Sequence, residues 1–161
     1  MSQTIILFGT GRSGTTVFME ALFRHPDLAF FSTLLEKKPE AIRLNYLRHL
    51  FDNRVYRLFG QKKQLNETSL FNRIIFKPSE AYPVWNHLVG HEVNFSRDFL
   101  YGKKPSAPTQ ERVNAYVEQT MELQKRNRFA MKITGPGRLG YLTSIFPNAR
   151  FIWLKRDVIA T

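Results

Sequence analysis

The chain has 161 residues, enough for one α/β domain with a single core and short for two. Its 43% hydrophobic and 14% aromatic content excludes a disordered chain, and the absence of cysteine excludes disulfides and thiolate metal sites. Twenty-four Lys and Arg against thirteen Asp and Glu leave a formal charge of +11, which favours anionic partners: nucleotides, nucleic acid, sulfated or phosphorylated substrates, or acidic membranes.

A fragment whose remaining part carries the balancing acids shows the same surplus. The chain opens MSQTIILFG, with no basic n-region and an apolar run too short for a signal peptide. No later run approaches the roughly 20 apolar residues of a membrane span. The expectation is a soluble, cytoplasmic protein.

Residues 4–8, TIILF, form a short continuous apolar run bounded by glycine, which predicts a strand buried on both faces of a parallel sheet. Thr15 to Arg24 reads as a helix with Val17, Phe18, Ala21 and Leu22 on its apolar face, stopped by His25-Pro26-Asp27. LAFF at 28–31 is a second strand. The β-α-β succession places the glycine loop at the carboxyl end of the first strand.

Residues 39–51, PEAIRLNYLRHLF, predict a second helix with Ile42, Tyr46, Leu47 and Leu50 as its apolar stripe. Residues 52–105 are irregular and rich in aromatics, with short helices expected around PSEAYPVWNHL and a loop through YGKKPSAP. This segment is expected to cover the core rather than build it, as a substrate-side insertion. TQERVNAYVEQTMELQKRN predicts a long helix with Val113, Tyr116, Val117, Thr120 and Leu123 on one side and a basic last turn. FAMKIT at 129–134 and RFIWLKR at 150–156 are two further strands, joined by a helix over PGRLGYLTSIF. Asp157 heads another helix, and the chain stops at Thr161 within its first turn. The expectation is a single α/β domain over 1–161 that forms the N-terminal part of a longer protein.

The stretch GTGRSGTT at 9–16 admits two readings. As G-x-G-x-x-G it is a dinucleotide fingerprint; as G-x-x-x-x-G-[KT]-T it is a phosphate-cradling loop with Thr15 in place of lysine. Both put backbone amides at a helix N-terminus, an anion site. A dinucleotide fold needs an acidic residue at the end of the second strand, about 20 residues on. Here LAFF is followed by Ser32 and Thr33, and the first acid is Glu36. A triphosphatase needs the lysine and an aspartate for magnesium. Asp157 follows Lys155-Arg156, a poor setting for a metal, and Arg12 stands inside the loop instead. The loop suits a group transferred with its charge stabilised by arginine and backbone amides.

Arg-Ser-Gly-Thr-Thr after a strand resembles the 5′-phosphosulfate loop of sulfotransferases that use 3′-phosphoadenosine 5′-phosphosulfate (PAPS). The likeness extends through the helix ending in HPD, resumes in KPSEAYPVW, and runs through KITGPGRLGYLTSIFPNARFIWLKRD, similar to the family's 3′-phosphate segment. Roughly half the chain is covered, in the family's order. The resemblance implies a P-loop-like three-layer fold, a central parallel sheet flanked by helices. It implies PAPS as donor, 3′,5′-ADP as product and no required metal. It gives Gly11, Arg12, Ser13, Gly14, Thr15 and Thr16 to the 5′-phosphate and sulfuryl group, with Arg12 neutralising charge on the leaving oxygen. Arg156 matches the arginine that holds the 3′-phosphate. The family's second 3′-phosphate ligand, a serine, falls at position 164, beyond the chain. Relatives carry a glutamate after the second strand as base. Strict spacing lands on Ser32-Thr33, so Glu36 serves only if the loop carries extra residues.

The implied activity is sulfuryl transfer to a hydroxyl or amine acceptor. Its rivals are a P-loop nucleotide kinase, a non-catalytic nucleotide- or polyanion-binding module, and a fragment that binds nucleotide without turnover. No nucleic-acid module is recognisable among the scattered basic residues. His87 and His91 lack a third ligand for a metal. Glu80 is expected to cap a short helix rather than orient substrate, and Tyr82 and Trp85 to belong to the core. Ser13 and Thr16 also suit helix capping, compatible with a binding role. KKPEAIR reads as a solvated face, and Lys103-Lys104 as part of a substrate mouth.

Overall fold

The structure, a computed structural model, describes residues 4–11, 13–52 and 76–157. Strand β1 (Thr4–Gly9) lies between β3 (Arg128–Thr134) and β4 (Arg150–Leu154), parallel to both. Strand β2 (Leu28–Ala29) pairs in parallel with the other edge of β3, giving the order β2-β3-β1-β4 among the described residues. TIILF is therefore central, flanked by FAMKIT and RFIWLKR, as its continuous apolar run requires.

Side-chain alternation along the strands divides the core in two. Ile6, Phe129, Met131 and Ile133 join one buried cluster; Leu7 and Ala130 join another. The first cluster is completed by Leu35 of α2 (Thr33–Lys37), Trp85 of α4 (Tyr82–Val89), Val113 of α5 (Ala107–Gln124) and Tyr141 of α6 (Leu139–Ile145). The second takes Met19 of α1 (Thr15–Leu22) and Phe23 just beyond it. Helices thus cover both faces of a parallel sheet, an α/β arrangement in three layers.

Several elements differ from the sequence expectation, each because tertiary packing chose among local options. Helix α1 turns Thr15, Met19 and Phe23 inward, a stripe of period four, and leaves Val17 74% exposed. Apolar residues ring this short helix, so the glycine turn before it decides which side faces the sheet. Only Leu28 and Ala29 of LAFF pair as strand; the chain then continues to an antiparallel bridge between Ser32 and Pro78. The predicted helix over 39–51 is a 3-10 helix (Ile42–Leu47) followed by α3 (Arg48–Phe51). Its buried residues are the polar Asn45 and Arg48, while Tyr46 and Leu50 face solvent. Helix α5 starts at a Ser106 cap and ends at Gln124, so the basic residues follow it rather than occupying its last turn. The aromatic segment also builds the core: Val84, Trp85, Val89, Phe95 and Leu100 are fully buried. Residues 53–75 of that segment lie outside the described residues.

Burial of Asn45 and Arg48 is explained by Gln124 on α5. Its amide nitrogen donates to the Phe30 carbonyl at 2.8 Å and to Asn45 Oδ1 at 2.7 Å. Its oxygen accepts from the Phe30 amide at 3.2 Å and from Arg48 Nη1 at 2.6 Å. Arg48 Nη1 also reaches the Leu28 carbonyl at 2.5 Å, with its guanidinium 4.4 Å from the Phe30 ring centroid. Polar groups taken out of water need such partners. The network fixes the chain leaving β2, which leads directly to α2. Gln124→Leu keeps the size of the side chain but strips these partners. It should destabilise the protein by about 2–4 kcal/mol, read as a drop in Tm of about 5–15 °C by calorimetry. A shift below about 2 °C would show that the network does not hold this junction.

Candidate active site

The glycine stretch leaves β1 at its carboxyl end. The Ser13 amide and hydroxyl both turn back to the Thr10 carbonyl, at 3.4 and 2.5 Å. Gly14 then adopts φ 79 and begins α1 without a side-chain cap. A Cβ at Gly9 would meet Thr15 Cγ2 at 2.7 Å, the Leu154 carbonyl oxygen at 2.8 Å and Ser13 Oγ at 2.9 Å. Only glycine lets the loop fold this closely over the strand ends, and only glycine takes the left-handed turn at 14 without strain. Ser13 and Thr16, suited by type to capping, do not cap α1. The first-turn amides lack intrahelical acceptors and carry the positive end of the helix dipole. The chemistry of that start, glycine-lined and uncapped by side chains, fits an anion such as a phosphosulfate.

Opposite the loop, residues 31–33 run antiparallel to 77–79. The Ser79 amide donates to the Phe31 carbonyl at 2.9 Å, and the Thr33 amide to the Lys77 carbonyl at 2.9 Å. Ser32 caps α2, bonding the Leu35 amide at 3.4 Å, and sets Glu36 in the first turn. This pairing sets Glu36 beside Ser79, whose hydroxyl donates to Glu36 Oε2 in a short hydrogen bond. Glu36, Ser79, Glu80, Tyr82, Lys132, Thr134, Thr16 and Met19 line one open cleft of about 500 Å³ with Pro78.

Lys132 occupies the alternate positions of β3 that face α1, with Ala130 and Thr134. Only 4% of it is exposed. Its ammonium donates to Glu80 Oε1 at 2.5 Å and to Thr16 Oγ1 at 3.2 Å. Thr134 Oγ1 donates to the same carboxylate, 3.0 and 2.9 Å from its two oxygens, and the Thr134 amide donates to the Tyr82 hydroxyl at 3.2 Å. Burial by itself raises the Glu80 carboxyl, but the Lys132 ammonium and the Thr134 and Tyr82 hydroxyls outweigh it and hold it below the usual range. The Tyr82 hydroxyl is raised, chiefly by burial. Glu80 thus does not cap α4, whose N-cap is Ala81 at φ 50 with no side-chain bond. That left-handed alanine costs roughly 1–2 kcal/mol, and it turns the chain immediately after Glu80.

The structure brings Thr16 and Glu36 to one cleft, with Ser13, Gly14 and Thr15 in the turn and helix start beside it. Gly11 is exposed, and a Cβ there would meet no atom within 4 Å, so sterics do not demand glycine at 11. Arg12 lies outside the described residues. Arg156 is exposed and follows β4 by two residues, at the same carboxyl edge as Gly9. Among the described residues no three His, Cys, Asp or Glu side chains gather as a metal site, and no helix is long and apolar enough to cross a membrane. Lys132 is the residue that motif reading missed. Its signal was a charge inside the apolar strand FAMKIT, where alternation demands burial.

The sulfotransferase family model matches residues 4–161, nearly the whole chain, and the protein belongs to that family. The fold is similar to sulfotransferase STF9 from Mycobacterium avium (TM-score 0.50, 18% identity) and to sulfotransferase STF1 from Mycobacterium tuberculosis H37Rv (TM-score 0.53, 18% identity). The match covers 97% and 99% of this chain but 43% and 47% of those proteins, so the chain spans less than half their length. No curated protein sequence matches it significantly.

A carboxyl held below its unfolded value stabilises the fold above that unfolded value, and the contribution fades as pH falls through the folded value. The wild-type protein should therefore lose stability below about pH 4–5 more steeply than Glu80→Gln. Urea unfolding across this range measures it, and the comparison cancels the parallel contribution of Glu92, also lowered, by Ser106 and Thr109 hydroxyls. Identical slopes would mean that the Lys132–Glu80 pair is not formed in solution.

Proposed function

We propose that the protein transfers a sulfuryl group from PAPS to a hydroxyl or amine acceptor. The observation that carries the reading is the meeting, in one cleft, of an uncapped glycine-loop helix start, a buried ammonium and a separate carboxylate. Gly11, Arg12, Ser13, Gly14, Thr15 and Thr16 hold the 5′-phosphosulfate in this reading, through backbone amides, hydroxyls and the Arg12 guanidinium. Arg156, on the same edge of the sheet, holds the 3′-phosphate. The donor supplies an activated sulfuryl group whose S–O bond to the 5′-phosphate breaks as the acceptor's oxygen or nitrogen bonds to sulfur.

The chain's residues act on charge and protons around that exchange. Arg12 and Lys132 offset negative charge on the departing phosphate, as preorganised donors do. Glu36 takes the acceptor proton. Its Oε2 is engaged by Ser79, which fixes the carboxylate toward the cleft. Pro78, Ser79 and Tyr82 border the space left for the acceptor.

Calorimetry on the full-length protein should show 3′,5′-ADP binding more tightly than 5′-AMP, since each phosphate has its own cation. Equal affinities would remove the 3′-phosphate role of Arg156, and NADH binding tighter than 3′,5′-ADP would restore the dinucleotide reading.

Arg12→Ala should lower kcat for PAPS turnover by about 10²-fold or more, with 3′,5′-ADP affinity changed less, because its charge partner develops in the transition state. Glu36→Gln should lower kcat by roughly 10²–10⁴-fold. Normal turnover by Glu36→Gln would move the base elsewhere; full activity in both variants would overturn the mechanism.

A further inference from the structure

Lys132 carries more partners than a cation serving only to bind an anion needs. Its ammonium is almost wholly removed from solvent and sits between Thr16 on the loop side and Glu80 on the opposite segment. A lysine stem has four rotatable carbons, so one acceptor leaves its head free to swing. Two acceptors on separate elements take two of its three N–H donors and leave it one direction.

The second acceptor is itself immobilised. Glu80 accepts the Thr134 hydroxyl on both oxygens. It is preceded by Ser79, whose amide is pinned to Phe31 and whose hydroxyl accepts the Ala81 amide at 3.1 Å. Ala81 holds a left-handed conformation that a non-glycine residue adopts only when its surroundings impose it. The carboxylate is thereby placed within contact of the ammonium that touches the loop.

We propose that Glu80 is a positioning residue that aims the Lys132 ammonium at the anion loop and offsets its charge, so that anion affinity stays below what the cations alone give. The inference rests on the loop being the donor site, and it adds a restraint on binding to that reading. Release of the 3′,5′-ADP product is the step such a restraint serves. A purely structural ion pair predicts lower stability on mutation and no gain in anion affinity.

Glu80→Gln keeps shape and hydrogen-bonding capacity while removing the charge; Glu80→Asp keeps the charge and withdraws it by one methylene. Inorganic pyrophosphate and 3′,5′-ADP are titrated into the full-length protein and both variants. In parallel, ¹H–¹⁵N correlation spectra follow the lysine ammonium groups. Glu80→Gln should bind pyrophosphate about 3–10-fold more tightly. Glu80→Asp should bind within about twofold of wild type. A slowly exchanging Lys132 ammonium signal in the wild type should weaken in both variants. Pyrophosphate affinity unchanged or reduced in Glu80→Gln, or a Lys132 signal unaffected by either substitution, overturns the proposal. If pyrophosphate behaves as expected while 3′,5′-ADP binds no better than 5′-AMP, the nucleotide reading fails and the role of Glu80 stands.

Discussion

A lysine ammonium taken out of water costs several kcal/mol unless an opposite charge and further hydrogen bonds meet it. Lys132 satisfies that requirement with groups from the start of α1 and from the segment before α4. Neither group is near it in sequence. The buried charge therefore commits three parts of the chain to one arrangement: β3, the helix start that follows the glycine loop, and the segment around Glu80. The cleft is the space those three parts enclose.

The approach of the segment around Glu80 depends on events at the other end of the sheet. Gln124 and Arg48 bind the backbone as it leaves β2. The chain beyond it then runs straight enough to pair with 77–79 and to start α2. Aromatic packing reinforces the geometry: Phe31 lies 5.4 Å from Trp85 and 4.7 Å from Phe129, ring centre to centre. The same short segment thus carries a core anchor on one residue and, within five residues, the carboxylate of Glu36. Rigidity in the core becomes precision at the cleft.

Membership of the sulfotransferase family and the likeness to the mycobacterial structures agree on the fold. They leave the acceptor's chemistry to the residues themselves. In the cleft, one carboxylate is neutralised by Lys132 and the other is held by a serine hydroxyl. Two acids in one space therefore have different partners, an ammonium for Glu80 and a hydroxyl for Glu36.

The sequence alone determined the sheet and the loop. TIILF and FAMKIT are short apolar runs whose burial makes them the inner strands, and RFIWLKR pairs beside TIILF as a strand with its side chains exposed or half-buried. GTGRSGTT needs glycine where the chain turns tightly and approaches another backbone. These are local demands, legible because short-range sterics and burial decide them. Tertiary structure decided which side of α1 faces inward, that 39–51 buries Asn45 and Arg48, and that the aromatic segment belongs to the core. It also decided the partners of Glu80 and Lys132. Those choices turn on contacts between separate elements, as in Lys132–Glu80, Lys132–Thr16 and Gln124–Asn45, where several local conformations have similar energy and packing selects among them. A lysine inside an apolar strand signals a buried charge but does not name its partner; the fold supplies Glu80 and makes the two one ion pair.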